Sequence, residues 1–453
     1  MPIVRRRSAV LLSLLACLCL IGCGSSDRAI QESTNTTTWA KPALVVSASE
    51  GPAAHRLAIN SSGDIFLGWL RCRPDNCAYE AMVNRYHGGA WTSPVVLGQA
   101  DWLFGSQVAA GGTDSAVSVW SGVIEILASF FSDTVGWTTP TQIDDGPVAL
   151  DPQVAMDTEG NALVAWRWCE APCTDTSVFQ IWANYYRTGI GWLGATAVGP
   201  AIGWAGSHRV GFDETGHGAV IWTQCDTTLD PINQCVFRVW SARFVPEKGW
   251  EAPASIQSDA AGVYAYEPRI LFDRTGNAVA FWNQWDRATK QFSIWANRYT
   301  LDRGWSTPEV VVSDFLNFTW GDWQVGGDRD GEAVVVWVAW NAATTHWEIR
   351  TTRYGAQEGW GAPITIQDVC DLFCGDLALA VNGVGDTVAV WRQDPGDTAD
   401  IWAARYRRDS GWEPAALIEH NPDEARYPRV VINTHGSAVV VWSQNGLWYT
   451  HFD

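Results

Sequence analysis

Within its repeated segments this 453-residue chain has no 3.6-residue hydrophobic period, and after residue 22 no run of eighteen apolar residues occurs. The first absence argues against a helical domain and the second against a membrane-spanning helix beyond the N-terminus. Positive charge is scarce as well: 30 Lys and Arg stand against 49 Asp and Glu, a net charge of -19. So acidic a surface repels phosphodiester backbones and anionic head groups, which excludes nucleic acid as a partner. The eight histidines are scattered, without an HExxH motif or a triad-like context. No glycine-rich phosphate loop follows a strand and opens a helix. No cofactor and no metal is expected, and catalytic residues, if there are any, stay unassigned.

What the chain does have is one sentence written eight times. Each copy holds an alternating apolar segment ending in Trp, then a segment ending Asn-Arg-Tyr or similar, then Gly-Trp-x-x-Pro and a β-branched run. The clearest copy is 267–312. The first Trp recurs as Trp69, Trp120, Trp166, Trp222, Trp282, Trp337, Trp391 and Trp442. The second recurs as Trp39, Trp91, Trp137, Trp192, Trp250, Trp305, Trp360 and Trp412. The period of about 53 residues suits propeller blades and is too long for leucine-rich or ankyrin repeats. Hydrophobicity alternates with period two, and runs such as Ala333–Trp337 are continuous, as in strands buried on both faces.

Four strands can be drawn per copy, lettered A to D, with an Asp-x-x-Gly turn between A and B (Asp157, Asp213, Asp273, Asp328). The chain opens on a lone strand D, Trp39 to Val46, and ends on a copy that lacks one. A split repeat closes a ring and removes two open edges, whereas an open solenoid would carry polar caps. The expected fold is therefore all-β: an eight-bladed β-propeller over 39–453, closed by its N-terminal strand. Seven blades is the alternative, should the copy with Ser129-Phe130-Phe131 prove irregular. Of the 29 Trp, the sixteen above and Trp182, Trp240, Trp295, Trp402 and Trp448 of strand C recur by blade and are assigned to packing. Arg85, Arg243, Arg298, Arg353 and Arg405 recur in the same way and are expected to pair with turn acids or aromatic faces.

Residues 1–22 form an address: Arg5, Arg6 and Arg7 precede an apolar stretch, Ser8 to Ile21, too short to span a bilayer. Its end, Leu20-Ile21-Gly22-Cys23, resembles the lipobox of bacterial lipoproteins. That resemblance implies cleavage before Cys23, acylation of its sulfur, and a cell-envelope protein anchored to the outer membrane or periplasmic side through lipid alone. Loss of the three arginines moves the net charge to -22. Residues 23–38 carry the lipidated Cys and read as a flexible polar tether. Eight cysteines remain in four close pairs: Cys72/Cys77, Cys169/Cys173, Cys225/Cys235 and Cys370/Cys374. An even count in an exported chain reads as disulfides, here local ones pinning loops.

Strand direction places A–B and C–D turns on one face and the longer, more variable B–C and D–A loops on the other. All four cysteine pairs fall on the variable face, where function on a regular scaffold usually resides. The aromatics outside the repeat fall there too: Trp102, Phe104, Trp204, Tyr264, Tyr266, Trp285, Phe318, Trp320 and Trp323, with Phe315 beside them. Such faces suit sugar rings or an apolar partner, or they wedge between blades. A second set opens strand A: Arg56, Gln107, Gln153, Arg209, Arg269, Gln324, Leu377 and Arg429. Arg56, Arg209, Arg269 and Arg429 could line the central channel as a carboxylate or sulfate site, or pack sideways between blades.

The blade pattern resembles bacterial propellers with Trp-rich repeats, among them fucose-binding lectins and the sialidase-like Asp-box group. Asp302-Arg-Gly-Trp305 and Asp409-Ser-Gly-Trp412 stand where an Asp-box would, but with Gly touching Trp and no Thr. Two functions follow as expectations. One is a lipid-anchored, monomeric binding module presenting its loop face to glycan or protein. The other is a hydrolase or lyase of anionic glycans, whose carboxylate pair the sequence does not single out among Asp101, Glu170, Asp226, Glu267, Asp286, Asp314 and Asp322.

Overall fold

A computed structural model describes residues 38–453, except 74–77, 101–104, 123, 147, 171–172, 174–176, 226–235, 258–262, 316–322, 371–372, 395, 397 and 420. It is an all-β, eight-bladed propeller of antiparallel sheets ordered A-B-C-D. In blades 1 to 4, strands A are Pro52–Ile59, Ser106–Gly111, Ala149–Met156 and Ala205–Phe212; strands B are Ile65–Cys72, Ser115–Ser121, Ala162–Cys169 and Gly218–Cys225. In blades 5 to 8, strands A are Val263–Phe272, Trp323–Gly327, Phe373–Val381 and Arg426–Ile432; strands B are Ala278–Asp286, Ala333–Asn341, Thr387–Asp394 and Ala438–Ser443. Strands C run from Tyr79–His87 in blade 1 to Gly446–Phe452 in blade 8. Strand D opens on the Gly-Trp or Ala-Trp step and resumes after a short break, as in Gly304–Trp305 and Glu309–Phe315. The second copy is regular: Ile126–Ser132, with its Phe-Phe, pairs along Ser115–Ser121, so the count is eight.

Closure is as the split repeat requires. Ala43–Ser47 is strand D of blade 8, with Ala43 opposite Tyr449 and Ser47 opposite Gly446. The Ala40 N–H donates to the His451 carbonyl at 2.8 Å, and Trp39 packs on Phe452 with centroids 5.5 Å apart. The innermost strands touch in an unbroken cycle that includes blade 8 against blade 1.

The core lies in the seams between blades. All eight strand-B tryptophans are at most 1% exposed. The strand-D tryptophans meet the strand-C aromatic of their own blade, as in Tyr299–Trp305, Tyr354–Trp360 and Tyr406–Trp412 at 5.4 to 5.6 Å. The strand-C arginines reach forward by one blade: Arg298 stacks 3.3 Å above Tyr354, Arg353 4.0 Å above Tyr406, and Arg405 3.2 Å above Phe452. Seven of the eight A–B turns are held by the Asp or Asn side chain of their first residue, blade 2 having glycine there. Asp157 Oδ1, for instance, accepts from the N–H groups of Glu159 and Asn161 at 2.9 and 2.8 Å, while Gly160 takes φ 84°. A further latch is written Trp-x-Gln. Trp222, Trp282, Trp391 and Trp442 donate Nε1–H to Gln224, Gln284, Gln393 and Gln444 at 3.1 to 3.4 Å. Those glutamines in turn bond the preceding D–A connection, as Gln444 does to Glu419 at 2.9 Å.

Candidate functional site

Two features of the loop face stand outside the repeat: aromatic clusters above blades 3 to 5, and the arginines of the channel.

The aromatics begin at blade 3. Phe179, at the start of strand C (Phe179–Arg187), meets Trp204 edge-on at 6.2 Å. Trp204 meets Phe237 at 5.5 Å, and Phe237 lies 6.4 Å from Tyr266. Arg167 sits 5.5 and 5.6 Å over Phe179 and Trp204. Gly206 is required here, because the Trp204 ring lies 2.3 Å from where its Cβ would be. In blade 5, Tyr264 and Trp285 are 5.6 Å apart, Trp285 and Phe292 are 6.3 Å apart, and the Lys290 ammonium rides 5.1 Å over Trp285. Trp204, Tyr264, Tyr266 and Trp285 are all half-buried, so each offers solvent part of a ring already steadied from behind.

Not every expected aromatic belongs with them. Trp323 is completely buried, in the seam between blades 5 and 6 beneath Arg269, and is a packing residue rather than a binding surface. Trp102, Phe104, Phe318 and Trp320 lie outside the described residues.

The channel is shaped by a bulge that recurs in strand A. The ladder slips between Ala53 and Arg56, Leu150 and Gln153, Gly206 and Arg209, Tyr266 and Arg269, Gly375 and Ala378, and Arg426 and Arg429. At each slip a non-glycine residue takes positive φ: Ala54 51°, Asp151 59°, Ser207 46°, Glu267 48°, Asp376 52° and Tyr427 54°. A side chain in that region strains the backbone by about 1 kcal/mol or more, and bulges re-aim their neighbours. The residue after it turns into the seam, fully buried, as His55, His208 and Leu377 show. The next residue belongs to the ring: Arg56, Gln107, Gln153, Arg209, Arg269, Gln324, Ala378 and Arg429, opposite Gly68, Val119, Ala165, Ile221, Phe281, Val336, Val390 and Val441. In blade 7 the ring position is thus Ala378 and not Leu377. The expectation missed the bulge and slipped by one residue.

The four arginines occupy neighbouring blades two by two, Arg429 and Arg56 in blades 8 and 1, Arg209 and Arg269 in blades 4 and 5. Arg56, Arg209 and Arg429 each donate Nη1–H to the carbonyl just before them, at 2.9, 2.8 and 2.9 Å. Arg269 reaches the Glu267 and Pro268 carbonyls at 3.3 and 3.5 Å. Among the described residues only Arg269 has a carboxylate within 4 Å, Glu267 at 3.9 Å. Asp151, at a more distant range, acts on Arg56 and Arg209, but it leans to Arg167 at 3.7 Å. Burial, then repulsion from Arg429 and Arg209, pushes Arg56 down to about 9. Burial, then Arg209, pushes Arg269 down to about 10, and burial lowers Arg209 and Arg429 too. Arg56 feels the charge of Arg209, although the two stand three blades apart.

Cys169–Cys173 and Cys370–Cys374 are disulfides on the loop face. Cys72 and Cys225 are also disulfide-bonded, and Cys77 and Cys235 lie outside the described residues. Among the described residues no three metal-ligating side chains converge, and no helix is long and apolar enough to cross a membrane. Two carboxyls are raised by burial, Asp144 and Glu419. They hold equivalent places in D–A connections five blades apart. Asp144 accepts from the Ile126 N–H at 2.7 Å, as Gln257 does from Val239 at 3.2 Å, so this is a scaffold position.

These features define a closed eight-bladed propeller with a cationic channel and an aromatic, disulfide-bearing loop face. No family model and no curated protein sequence matches the chain. Solved structures resemble it in outline. The NanB sialidase from Streptococcus pneumoniae is 9% identical, over 92% of this chain and 93% of that one, with a TM-score of 0.40. An ulvan lyase, of a polysaccharide lyase family, is 10% identical over 74% and 89%, with a TM-score of 0.45. The Aleuria aurantia lectin, in complex with Fucα1-6GlcNAc, is 13% identical over 81% and 96%, with a TM-score of 0.37. With identities of 9 to 13% and TM-scores below 0.5, these resemblances carry no argument about this chain.

Proposed function

We propose that this protein is a binding module of the bacterial cell envelope, held by lipid on Cys23, that presents its loop face to a glycan. One observation carries the reading: the half-buried aromatics Trp204, Tyr264, Tyr266 and Trp285 are braced by neighbouring rings, Arg167 and Lys290 on the disulfide-bearing face. A ring held this way gives up little conformational entropy when a sugar stacks on it. Disulfides fit an oxidising compartment. The chain enters strand D of blade 8 beside the end of strand C, on the turn face, so the loop face looks away from the point of entry. Residues 23–38 serve in this reading as the tether.

The test is binding of the lipid-free chain, residues 24–453, to an array of neutral and acidic glycans, alongside the Trp204→Ala/Trp285→Ala double variant. Stacking contributes about 1 kcal/mol or more per ring. The variant should therefore lose at least tenfold in affinity while its melting temperature stays within a few degrees. Glycan binding untouched by the double variant, or a protein captured in place of any glycan, would sink the reading.

A further inference from the structure

The channel departs from the repeat where a purely structural ring would not. Gln serves at three of the eight ring positions and Ala at one, so the fold does not need arginine there. Yet four ring positions carry it, in two neighbouring pairs set half a turn apart, in a protein with a net charge of -19. Buried charges are ordinarily paired, because an unpaired one forfeits its hydration. Here each guanidinium donates to a backbone carbonyl of its own strand, and Arg56, Arg209 and Arg429 have no described carboxylate within 4 Å. The two sides also differ. Glu267 stands 3.9 Å from Arg269, whereas no described carboxylate lies within 4 Å of Arg56 or Arg429. Beside that second pair is Tyr427, 51% exposed and held at φ 54° with its N–H on Asp376 Oδ2 at 3.3 Å. An exposed aromatic in strained backbone thus stands next to half-buried cations that have no described carboxylate within 4 Å, although Asp376 acts on Arg429 from farther off.

We infer that the channel binds one dianionic ligand, an oligosaccharide carrying two acidic groups, with one group on Arg56 and Arg429 and the other on Arg209 and Arg269. A single oxyanion can engage one pair and leaves the opposite pair as it was. Two groups on one molecule engage both, and the second contact is made at high effective concentration. Arginine suits either acid, since its fork matches carboxylate and sulfate oxygens alike. Tyr427 supplies a face for the sugar ring that bears the first group. This site does not depend on the aromatic platform of blades 3 to 5, and either could fail alone.

The experiment is calorimetric titration of the mature chain with four probes: digalacturonate, galacturonate, a disaccharide bearing two sulfate esters, and its monosulfated counterpart. One dianion should bind at a 1:1 ratio at least tenfold tighter than its monoanion, and which one does so identifies the acid. Its affinity should fall at least tenfold between 0.05 and 0.5 M salt, on the order expected for several released counterions. Arg56→Gln and Arg269→Gln, which install a residue the ring already uses, should each reduce the dianion to the affinity of the monoanion; Arg56→Gln should do so without shifting the melting temperature, whereas Arg269→Gln also removes the guanidinium over Trp323 and should lower it by about a degree. Arg56→Gln, in blade 1 and away from the aromatics of blades 3 to 5, should leave any neutral-glycan binding by the loop face unchanged, which separates the channel from the loop-face reading. Equal affinities for mono- and dianions, indifference to both glutamine variants, or no binding of any probe would overturn the inference.

Discussion

The two histidines of the channel bulges make the ring acid-sensitive in a way that can be worked out beforehand. His55 and His208 are 2% and 0% exposed, each wedged in a seam beside a ring arginine. Burial, with Arg429 and Arg56 adding repulsion, lowers His55 to about 3. Burial lowers His208 to about 4; Asp151 opposes this, while Arg167 and Arg209 reinforce it. Folded, both are neutral; unfolded, both titrate near the ordinary value of about 6.5. Their contribution is complete above about pH 6.5 and drains away as pH falls toward the folded values. At pH 5 each has lost about 2 kcal/mol relative to pH 8, or about 4 kcal/mol together, a large share of a typical stability of about 5–15 kcal/mol. With about 2.1 cal/mol/K of unfolding entropy per residue over 38–453, that is a melting shift of about 5 °C. The matched variant is His55→Leu/His208→Leu, since Leu377 fills the same place in blade 7. It forfeits the bond from His208 to the Ala165 carbonyl (3.2 Å), about 1 kcal/mol at any pH. Melting curves at pH 8 and pH 5 should show the parent losing about 5 °C more than the variant. Equal losses would refute the reasoning.

Two further outcomes concern the scaffold. Arg405→Ala strips the guanidinium from the Phe452 face in the seam between blades 7 and 8, and should cost about 1–2 kcal/mol; Arg405→Lys should recover less than half of that, read from denaturant midpoints. Deleting 39–47 removes strand D of blade 8 and bares the edge of Gly446–Phe452. The shortened chain should self-associate in light scattering at concentrations where the parent is monodisperse, and an equally monodisperse product would contradict the role given to that strand.

Much of this architecture was legible because a ring repeats its own instructions. Eight copies of a buried Trp, an Asp turn and a Gly-Trp step average out the ambiguity of any single strand, and the split repeat fixed both blade count and closure. That the strand-C arginines are packing residues was legible for the same reason, since they recur in five copies, but the choice between turn acids and aromatic faces was left open, and Arg298, Arg353 and Arg405 take the next blade's aromatic. The Trp-x-Gln latch was in view in four copies and passed unnoticed, although an amide two residues after a buried indole reaches its N–H along the same strand face. Exposure was harder. Trp323 and Trp204 both precede or open a strand A outside the repeat, yet Trp323 is sealed under Arg269 while Trp204 keeps a free edge. Hydrophobic pattern cannot rank two such aromatics, because the difference lies in which neighbour covers them.

The bulge is the most telling miss. A slip in strand A inserts one residue without altering the apolar alternation on either side, so periodicity passes over it. Its mark in the sequence is the triplet of variable residue, seam residue and ring residue: Ala54-His55-Arg56, Asp151-Pro152-Gln153, Ser207-His208-Arg209, Glu267-Pro268-Arg269, Asp376-Leu377-Ala378 and Tyr427-Pro428-Arg429. Three of these have proline in the middle, which suits a position outside the ladder because proline has no N–H to lose. Left-handed backbone would ordinarily be given to glycine, and Gly105 holds the corresponding place in blade 2 at φ 66°. Six blades instead put a side chain there and bear the strain. The ring's other positions are uniform because every seam faces the same packing problem. These are not uniform, and stability alone gives no reason to place Tyr427 where glycine would be easier, or arginine where glutamine already works. Departure from the repeat at a strained position, rather than any single residue type, is what directs attention to the channel.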